Sequence, residues 1–321
     1  MIFDFFSEIK YEISVVEDEL KKAVRSSDPL LTETATHLIS AGGKRLRPAF
    51  CLLGGKFYNF DLDKLVPLAV ALELIHMATL VHDDVVDSSL TRRGMPTVKA
   101  QWGNRISTHI GDYLLGKSLI LISLYDEPLI PRVLANTSVK MSEGEILQIT
   151  TTHDTNQNIK DYFYRINRKT ALLISASCQL GAVACGAPRY LHQSLRRFGH
   201  HIGMAFQITD DILDMTAEQI KLGKPVGGDL KQGIITLPTI YALRKSSARD
   251  RLREIINKTD KSEQEISEAI DLITQCGGIT YSAAIAGQYI AKAKKELARL
   301  PEVPVKKTMQ TIADFIGIRK F

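Results

Sequence analysis

The sequence predicts an all-α protein, because apolar residues recur at helical spacing along most of the chain and no alternating strand pattern persists. Glycine and proline lie between the apolar segments, where helices end. With 321 residues, 45% of them apolar, the chain is long enough to bury a sizeable core. No linker divides it, so we expect residues 1–321 to form one helical-bundle domain.

The periodicity predicts the helices in order, with boundaries at glycine, proline or polar clusters. The predicted helices span residues 2–24, 29–39, 48–58, 63 to about 87, 107–125, 131–150, 159–185, 190–214, 237–244, 248–257, 263–275, 279–300 and 305–318. The glycine-rich segment 222–233 is predicted to be a loop. It lacks the strand–loop–helix order and the Gly-Lys-Ser/Thr ending of a P-loop, which excludes that nucleotide-binding motif.

Composition narrows the possible partners and locations. The 41 Lys and Arg residues against 36 Asp and Glu give a net charge of +5, too small an excess over this length to indicate nucleic acid. The four cysteines include no C-x-x-C pair, and we expect free thiols in a reducing cytosol. The N-terminus carries acids where a signal peptide needs basic residues, so a cytoplasmic location is expected. The longest apolar run, 67–81, is short for a bilayer span and predicts a buried helix.

Two aspartate clusters carry the main chemical signal. Asp83 and Asp87 share a helix face, and Asp84 lies beside them. The same spacing returns at Asp210, Asp211 and Asp214. Carboxylates this close repel one another, and Mg²⁺ is typically held by a few carboxylates together with substrate phosphates. One such cluster is as readily a solvated helix end. Two copies that each close an apolar helix indicate several Mg²⁺ ions around a diphosphate, if the two helices face each other.

Cationic residues are concentrated in short segments that suit phosphate groups. Lys44 and Arg47 follow a double glycine and open a helix, where backbone and cations can approach an anion. Arg92 and Arg93 lie a few residues past Asp87, and guanidinium groups match phosphate oxygens. Taken alone, the first segment is also consistent with a solvated basic turn. His76, on an otherwise apolar helix, is most simply a core histidine.

The motifs occur in an order that resembles the trans-isoprenyl diphosphate synthase family, from about residue 30 to the C-terminus. They are the two aspartate clusters and the segments 42–48, 92–94, 169–170 and 223–229. Within that family the chain is most similar to component II, the catalytic chain of two-protein heptaprenyl diphosphate synthases. The resemblance implies an all-α bundle around a deep central cavity, normally dimeric, that transfers prenyl groups with Mg²⁺.

The resemblance also implies a role for each motif residue. Mg²⁺ on the diphosphate of the allylic substrate would be bound by Asp83, Asp87 and Asp210, with support from Asp84, Asp211 and Asp214. The same diphosphate would be contacted by Arg92, Lys169 and Lys224. Isopentenyl diphosphate, which carries no metal, would be bound by Lys44, Arg47, His76 and Arg93. The reacting centre would be lined by Thr170 and Gln207.

Product length can be predicted from the helix that leads to Asp83. Ala78 and Thr79 occupy positions where short-chain relatives carry an aromatic floor, and Leu74 lies about one turn further back. A helical turn rises roughly 5.4 Å, about the reach of one isoprene unit, so small residues let the tail pass. We expect a product of about C30–C40, with C35 preferred and farnesyl diphosphate as primer. The family expectation is a quinone side chain, such as that of menaquinone, handed to membrane enzymes.

One departure from the family pattern concerns the partner. Many homodimeric relatives have a lysine after the glycine of the loop, where this chain has Ile234 after Gly233. Component II chains often lack that lysine too, so we expect a dimer with a small regulatory subunit, and a homodimer is the alternative.

Other functions are consistent with part of the same motifs. A short-chain homodimeric synthase (C15–C20) and a regulatory chain on the same fold are alternatives, although the intact carboxylates argue against a regulator. A class I terpene cyclase would carry an N-x-x-x-S/T-x-x-x-E type second site in place of Asp210–Asp214, and would not use a site at Lys44 and Arg47.

Overall fold

The computed structural model describes residues 7–216 and 226–318, which are almost entirely helical. The helices are α1 (Lys10–Ala23), α2 (Pro29–Ser40), α3 (Leu46–Gly55), α4 (Leu62–Val86), α5 (Val98–Ile122), α6 (Leu129–Thr150), α7 (Ile159–Ile166), α8 (Leu172–Ala184), α9 (Arg189–Thr216), α10 (Gly228–Gln232), α11 (Leu237–Lys245), α12 (Arg249–Asn257), α13 (Glu263–Gln275), α14 (Gly278–Ala298) and α15 (Pro304–Ile318). The predicted all-α class is confirmed.

Five local features differ from the predicted secondary structure. The long helix predicted over 159–185 consists of α7, a π-helical segment (Asn167–Ala171) and α8. The loop after α4 contains a hairpin of β1 (Thr91–Arg92) and β2 (Met95–Pro96), which pair antiparallel. The fifth helix begins at Val98, nine residues earlier than predicted, because the Thr97 side chain caps its first turn. The first predicted helix, 2–24, corresponds to α1, which begins at Lys10, and residues 2–6 lie outside the described part of the chain. The predicted loop 222–233 contains the short helix α10 (Gly228–Gln232) in its described part. The other predicted boundaries agree to within a few residues.

The chain forms two compact units. Unit 1 contains the described residues of 1–138, 176–196 and 300–309. Unit 2 contains those of 139–175, 197–299 and 310–321. The first aspartate cluster belongs to unit 1 and the second to unit 2.

Unit 1 is organised around α4, which packs against α1, α3 and α5. Its N-terminus is capped by the Asp61 side chain, which accepts a hydrogen bond from the backbone of Lys64. Among the described residues, α4 alone is long and apolar enough to cross a membrane, and 72% of its most apolar 18-residue window is buried inside the protein. Apolar residues on every side of a helix are typical of a core helix, as the sequence predicted.

Helices α3 and α8 approach each other closely in unit 1 at two glycines. A Cβ atom at Gly54 would overlap the carbonyl oxygen of Cys178, and one at Gly181 would overlap that of Cys51. Cys51 and Cys178 are buried in this contact, and burial raises the pKa of both thiols. All four cysteines are free, as predicted.

The core of unit 2 is built on α7, α9 and the helices α11 to α14. The fully buried Tyr162 of α7 packs with Met204, Ile208 and Ile212 of α9 in one apolar cluster. The capping box formed by Asn158 and Asp161 fixes the start of α7, because each side chain binds the other residue's backbone N–H. Tyr162 and the acids of α9 are therefore held on neighbouring elements.

Candidate active site

The first aspartate cluster closes α4. Asp87 caps the helix, and its backbone N–H donates to the Asp83 carbonyl oxygen at 2.8 Å. Asp87 is exposed and Asp83 half-buried, whereas Asp84 is only 2% exposed. The C-terminal end of a helix carries partial negative charge, so three carboxylates there are unfavourable without nearby cations.

One such cation is Arg92, which pairs with the buried Asp84. Its Nη2 and Nε atoms lie 2.7 and 2.9 Å from Asp84 Oδ1. The hairpin brings Arg92 into place through a two-residue turn, in which Arg93 and Gly94 have φ angles of 54° and 77°. Asp84 was expected near Mg²⁺ and Arg92 at the diphosphate. The structure joins the two side chains in an ion pair in which Asp84 is buried and Arg92 is partly exposed.

Two of the cations expected around isopentenyl diphosphate, Arg47 and Arg93, lie near His76. Burial of the imidazole, followed by the positive charges of Arg47 and Arg93, lowers the pKa of His76 well below its usual value. Arg93 also donates from Nη1 to the Gly42 carbonyl oxygen. His76, Arg47 and Arg93 therefore share one electropositive region of unit 1, while the Lys44 side chain is exposed nearby in sequence.

Arg45, to which the sequence assigned no role, is the structural anchor of this region. It begins α3 with φ 47° and is 6% exposed. Its guanidinium donates to Glu17 of α1 at 2.5 Å, to Glu73 of α4 at 3.0 Å and to the Ile39 carbonyl at 3.2 Å. The buried pair with Glu73 fixes the turn that presents Lys44 and Arg47. Nothing in the sequence distinguished Arg45 from its cationic neighbours.

A small pocket of about 30 Å³ lies beside this anchor in unit 1. Charged side chains on its wall are Arg45, Glu73, Asp84, Arg92 and Arg93, and Met77 and Leu80 supply apolar surface. The expected chain-length residues lie on α4, which also carries Met77 and Leu80. Leu74 and Ala78 are buried, and the half-buried Thr79 donates to the His76 carbonyl at 2.8 Å.

In the second cluster, Asp211 is the buried acid. It is 4% exposed and accepts hydrogen bonds from the Tyr162 hydroxyl at 2.6 Å and from Gln207 Nε2 at 2.8 Å. Burial raises the pKa of Asp211 to about 6, although both hydrogen bonds oppose the rise. Asp210 and Asp214 are half-buried in the same last turns of α9.

Asp229 is a fourth acid of this cluster, and the motifs did not assign it a role. Its backbone N–H donates to Asp214 Oδ2 at 3.1 Å. Burial, and then the charges of Asp214 and Asp211, raise the pKa of Asp229 well above its usual value. The Gly-Gly-Asp ending of the 223–229 motif was the available signal. Lys224 of the same motif lies outside the described residues.

Lys169 and Thr170 lie in the π-helical segment. Lys169 Nζ contacts Glu145 Oε1 at 3.0 Å, and the Thr170 hydroxyl donates to Gln207 Oε1 at 2.6 Å. Two glycines permit this arrangement: a Cβ at Gly144 would meet Arg168 Cβ at 2.7 Å, and one at Gly203 would meet Ala171 Cα at 2.6 Å. Single-turn π segments are frequent at functional sites.

The donor set fits Mg²⁺. Asp83 and Asp87 in unit 1, and Asp210 and its neighbours in unit 2, offer only carboxylate oxygens, the ligands a hard cation prefers. Within residues 7–216 and 226–318, no three His, Cys, Asp or Glu side chains form a ready-made metal cage. Mg²⁺ is usually bound by one or two carboxylates with waters and substrate phosphates, so a cage is not required.

Comparison with known proteins shows the family to which the chain belongs. Residues 28–273 match the polyprenyl synthetase family. Heptaprenyl diphosphate synthase component 2 of Bacillus subtilis (strain 168) is 46% identical over 316 residues, which cover 98% of this chain and 90% of that protein.

Solved structures of polyprenyl synthases are also similar to this chain over nearly its full length. The heptaprenyl diphosphate synthase from Staphylococcus aureus has a TM-score of 0.91 at 37% identity, covering 97% of this chain and 98% of that one. A polyprenyl synthase from Caulobacter crescentus CB15, crystallised with calcium and isoprenyl diphosphate, has a TM-score of 0.94 at 32% identity, covering 99% and 98%. The resemblance stated from the motifs is confirmed.

Replacing Arg45 with Met should destabilise the protein by about 3–5 kcal/mol, because it leaves the Glu73 carboxylate buried without its partner. Chemical denaturation measures the free energy of unfolding. Lys22→Met is the matched control, since Lys22 pairs with Glu19 on the exposed surface of α1 and should have little effect. Equal stability of the two variants would contradict the anchoring role.

His76 should make the protein less stable in acid. Its folded-state pKa lies well below the unfolded value of about 6.5, so the unfolded chain binds the proton first and stability falls as the pH drops below about 6.5. His76→Gln should reduce the slope of the unfolding free energy against pH by up to about 1.4 kcal/mol per pH unit. Denaturation between about pH 5 and pH 8 measures it. His109→Gln, at an exposed position, controls for loss of a histidine, and an unchanged slope in His76→Gln would contradict the assignment.

Proposed function

The chain belongs to the polyprenyl synthetase family and is a prenyltransferase, and from this premise we propose that it is the catalytic component of a two-component heptaprenyl diphosphate synthase. It extends an allylic primer, farnesyl diphosphate, with isopentenyl diphosphate units to about C35. The observation that carries the proposal is the pair of aspartate clusters, each closing a long helix, in a chain 46% identical to a component 2 protein over 98% of its length.

The aspartates of the two clusters are the proposed metal ligands. Asp83, Asp87 and Asp210 would hold Mg²⁺, and the Caulobacter crescentus relative crystallised with calcium and isoprenyl diphosphate supports a divalent cation. When bound, Mg²⁺ stabilises the negative charge that develops on the leaving diphosphate as the allylic C–O bond breaks. Lys169 and Arg92 would add positive charge to the same diphosphate.

The remaining steps use the cationic region and the apolar helices. Arg47, Arg93 and Lys44 would bind the second diphosphate, with His76 as an uncharged hydrogen-bonding neighbour. The isopentenyl double bond attacks the allylic carbon, and loss of a proton leaves an allylic diphosphate one C5 unit longer. The allylic cation must be kept from water, and the apolar sides of α4 suit that purpose.

The requirement for a partner rests on the 227–233 segment and on the names of the relatives. Gly233 adopts φ 75° against the His153 ring. Ile234 follows at the position where many homodimeric relatives have a lysine. The relative from Bacillus subtilis is itself called component 2. We place the enzyme in the cytoplasm, with its apolar product passed to membrane enzymes.

Elongation assays test the proposal. The purified chain is incubated with Mg²⁺, farnesyl diphosphate and labelled isopentenyl diphosphate, alone and with a small co-encoded or co-purifying subunit. We expect C35 product only in the mixture, and Asp83→Asn should reduce the rate in the mixture by at least about 100-fold, as for loss of a transition-state contact. Elongation by the chain alone would contradict the need for a partner and support a homodimeric synthase, and no elongation in either case would point to a regulatory chain.

Ala78→Phe should shorten the product to about C15 or C20, depending on the primer, because an aromatic ring would block the tail one turn before the acids. Chromatography of the dephosphorylated products measures the chain length. Ala78→Leu is the graded comparison and should give an intermediate product. An unchanged product ladder in both active variants would refute the placement of the tail along α4.

A further inference from the structure

We propose that Tyr162 is a positioning residue for the second aspartate cluster, because its hydroxyl fixes the Asp211 carboxylate and thereby the acid-bearing end of α9. The inference rests on the proposed function, since the diphosphate bound there is taken to be that of the allylic substrate. Tyr162 carries no assigned role in the motifs.

The contact is short and fully buried. Tyr162 is 0% exposed, and its hydroxyl donates to Asp211 Oδ2 at 2.6 Å, a length typical of an O–H donor on a carboxylate. The other carboxylate oxygen accepts from Gln207 Nε2 at 2.8 Å. With one donor on each oxygen from two different helices, the carboxylate plane of Asp211 cannot rotate without breaking a hydrogen bond.

The contact belongs to a longer chain of hydrogen bonds. The Thr170 hydroxyl donates to Gln207, Gln207 donates to Asp211, and Tyr162 donates to Asp211 from the other side. Tyr162 and Thr170 lie eight residues apart on α7 and the π-helical segment. The network therefore ties α9 to that single stretch of backbone at two points.

Packing alone does not require the hydroxyl. The Tyr162 ring lies among apolar residues of the unit 2 core, with its centroid 5.6 Å from that of Phe163. Phenylalanine would keep these contacts and would leave Asp211 Oδ2 buried without its donor. When one partner of a buried hydrogen bond is removed, the other stays buried without a partner, and its desolvation is no longer compensated.

The Tyr162 hydroxyl acts through Asp211 on the acid-bearing end of α9. Asp210 precedes Asp211 directly and Asp214 lies one turn on, where like charges and the helix terminus favour fraying or rotation. Groups that orient a metal ligand from behind typically change metal affinity or activity about 10- to 100-fold when removed. Tyr162 fills this role for the acids of α9.

The test compares Tyr162→Phe with Tyr164→Phe, a half-exposed tyrosine of the same helix. In the assembled enzyme, Tyr162→Phe should raise the Mg²⁺ concentration for half-maximal rate and the KM for the allylic diphosphate by about 10- to 100-fold. The KM for isopentenyl diphosphate and the behaviour of Tyr164→Phe should remain as in the wild type. A double variant with Asp211→Asn should behave as Asp211→Asn alone, because the hydroxyl acts through that carboxylate.

A second measurement does not depend on turnover. Mg²⁺ with inorganic pyrophosphate should raise the Tm of the wild-type chain, and Tyr162→Phe should lose most of that rise. A lower Tm of the unliganded variant with unchanged Mg²⁺ dependence and an unchanged rise would overturn the inference, as would additive effects in the double variant. If the wild type binds Mg²⁺ and pyrophosphate but elongates nothing with any partner, the proposed function fails, whereas loss of the rise in Tyr162→Phe still supports positioning.

Discussion

Crowding of like charges at two helix ends is the constraint on which the rest of this structure depends. Each cluster places carboxylates where the helix terminus is already negative. The protein relieves the repulsion by burying one acid of each cluster and satisfying it internally. Asp84 pairs with Arg92, and Asp211 accepts from Tyr162 and Gln207. Asp83 and Asp87 lie nearer the surface, where a cation and a diphosphate can reach them.

Most helices followed from the sequence because apolar spacing and capping residues are local signals. Glu263–Gln275 was predicted with the bounds that the structure has, and its start is fixed by a capping box of Ser262 and Glu265. The π-helical segment was not predictable, because it depends on α6 and α9 packing closely against residues 168–171 at Gly144 and Gly203. The hairpin strands have two residues each, which is too short for an alternating pattern of apolar and polar residues to be recognised in the sequence.

The candidate site shows the same difference between local features, which the sequence predicts, and long-range contacts, which it does not. Spacing identified the acids that share a helix face, and the motifs identified the cations. The partners that decide each residue's role lie far away in sequence. Arg45 is 28 residues from both Glu17 and Glu73, and Tyr162 is 49 residues from Asp211. A pattern of residue types therefore predicts candidate side chains for the chemistry, but it does not predict which side chains hold them in place.

The supporting contacts explain how such a site can keep its shape. A cluster held together only by its metal would lose its geometry each time the metal and diphosphate leave. Here the buried acid of each cluster is fixed by a side chain from another element of its own unit: Arg92 from the hairpin and Tyr162 from α7. The neighbouring acids thus start from a defined backbone before any cation arrives. Preorganisation of this kind lowers the free-energy cost of binding, because less side-chain and helix-end freedom remains to be lost.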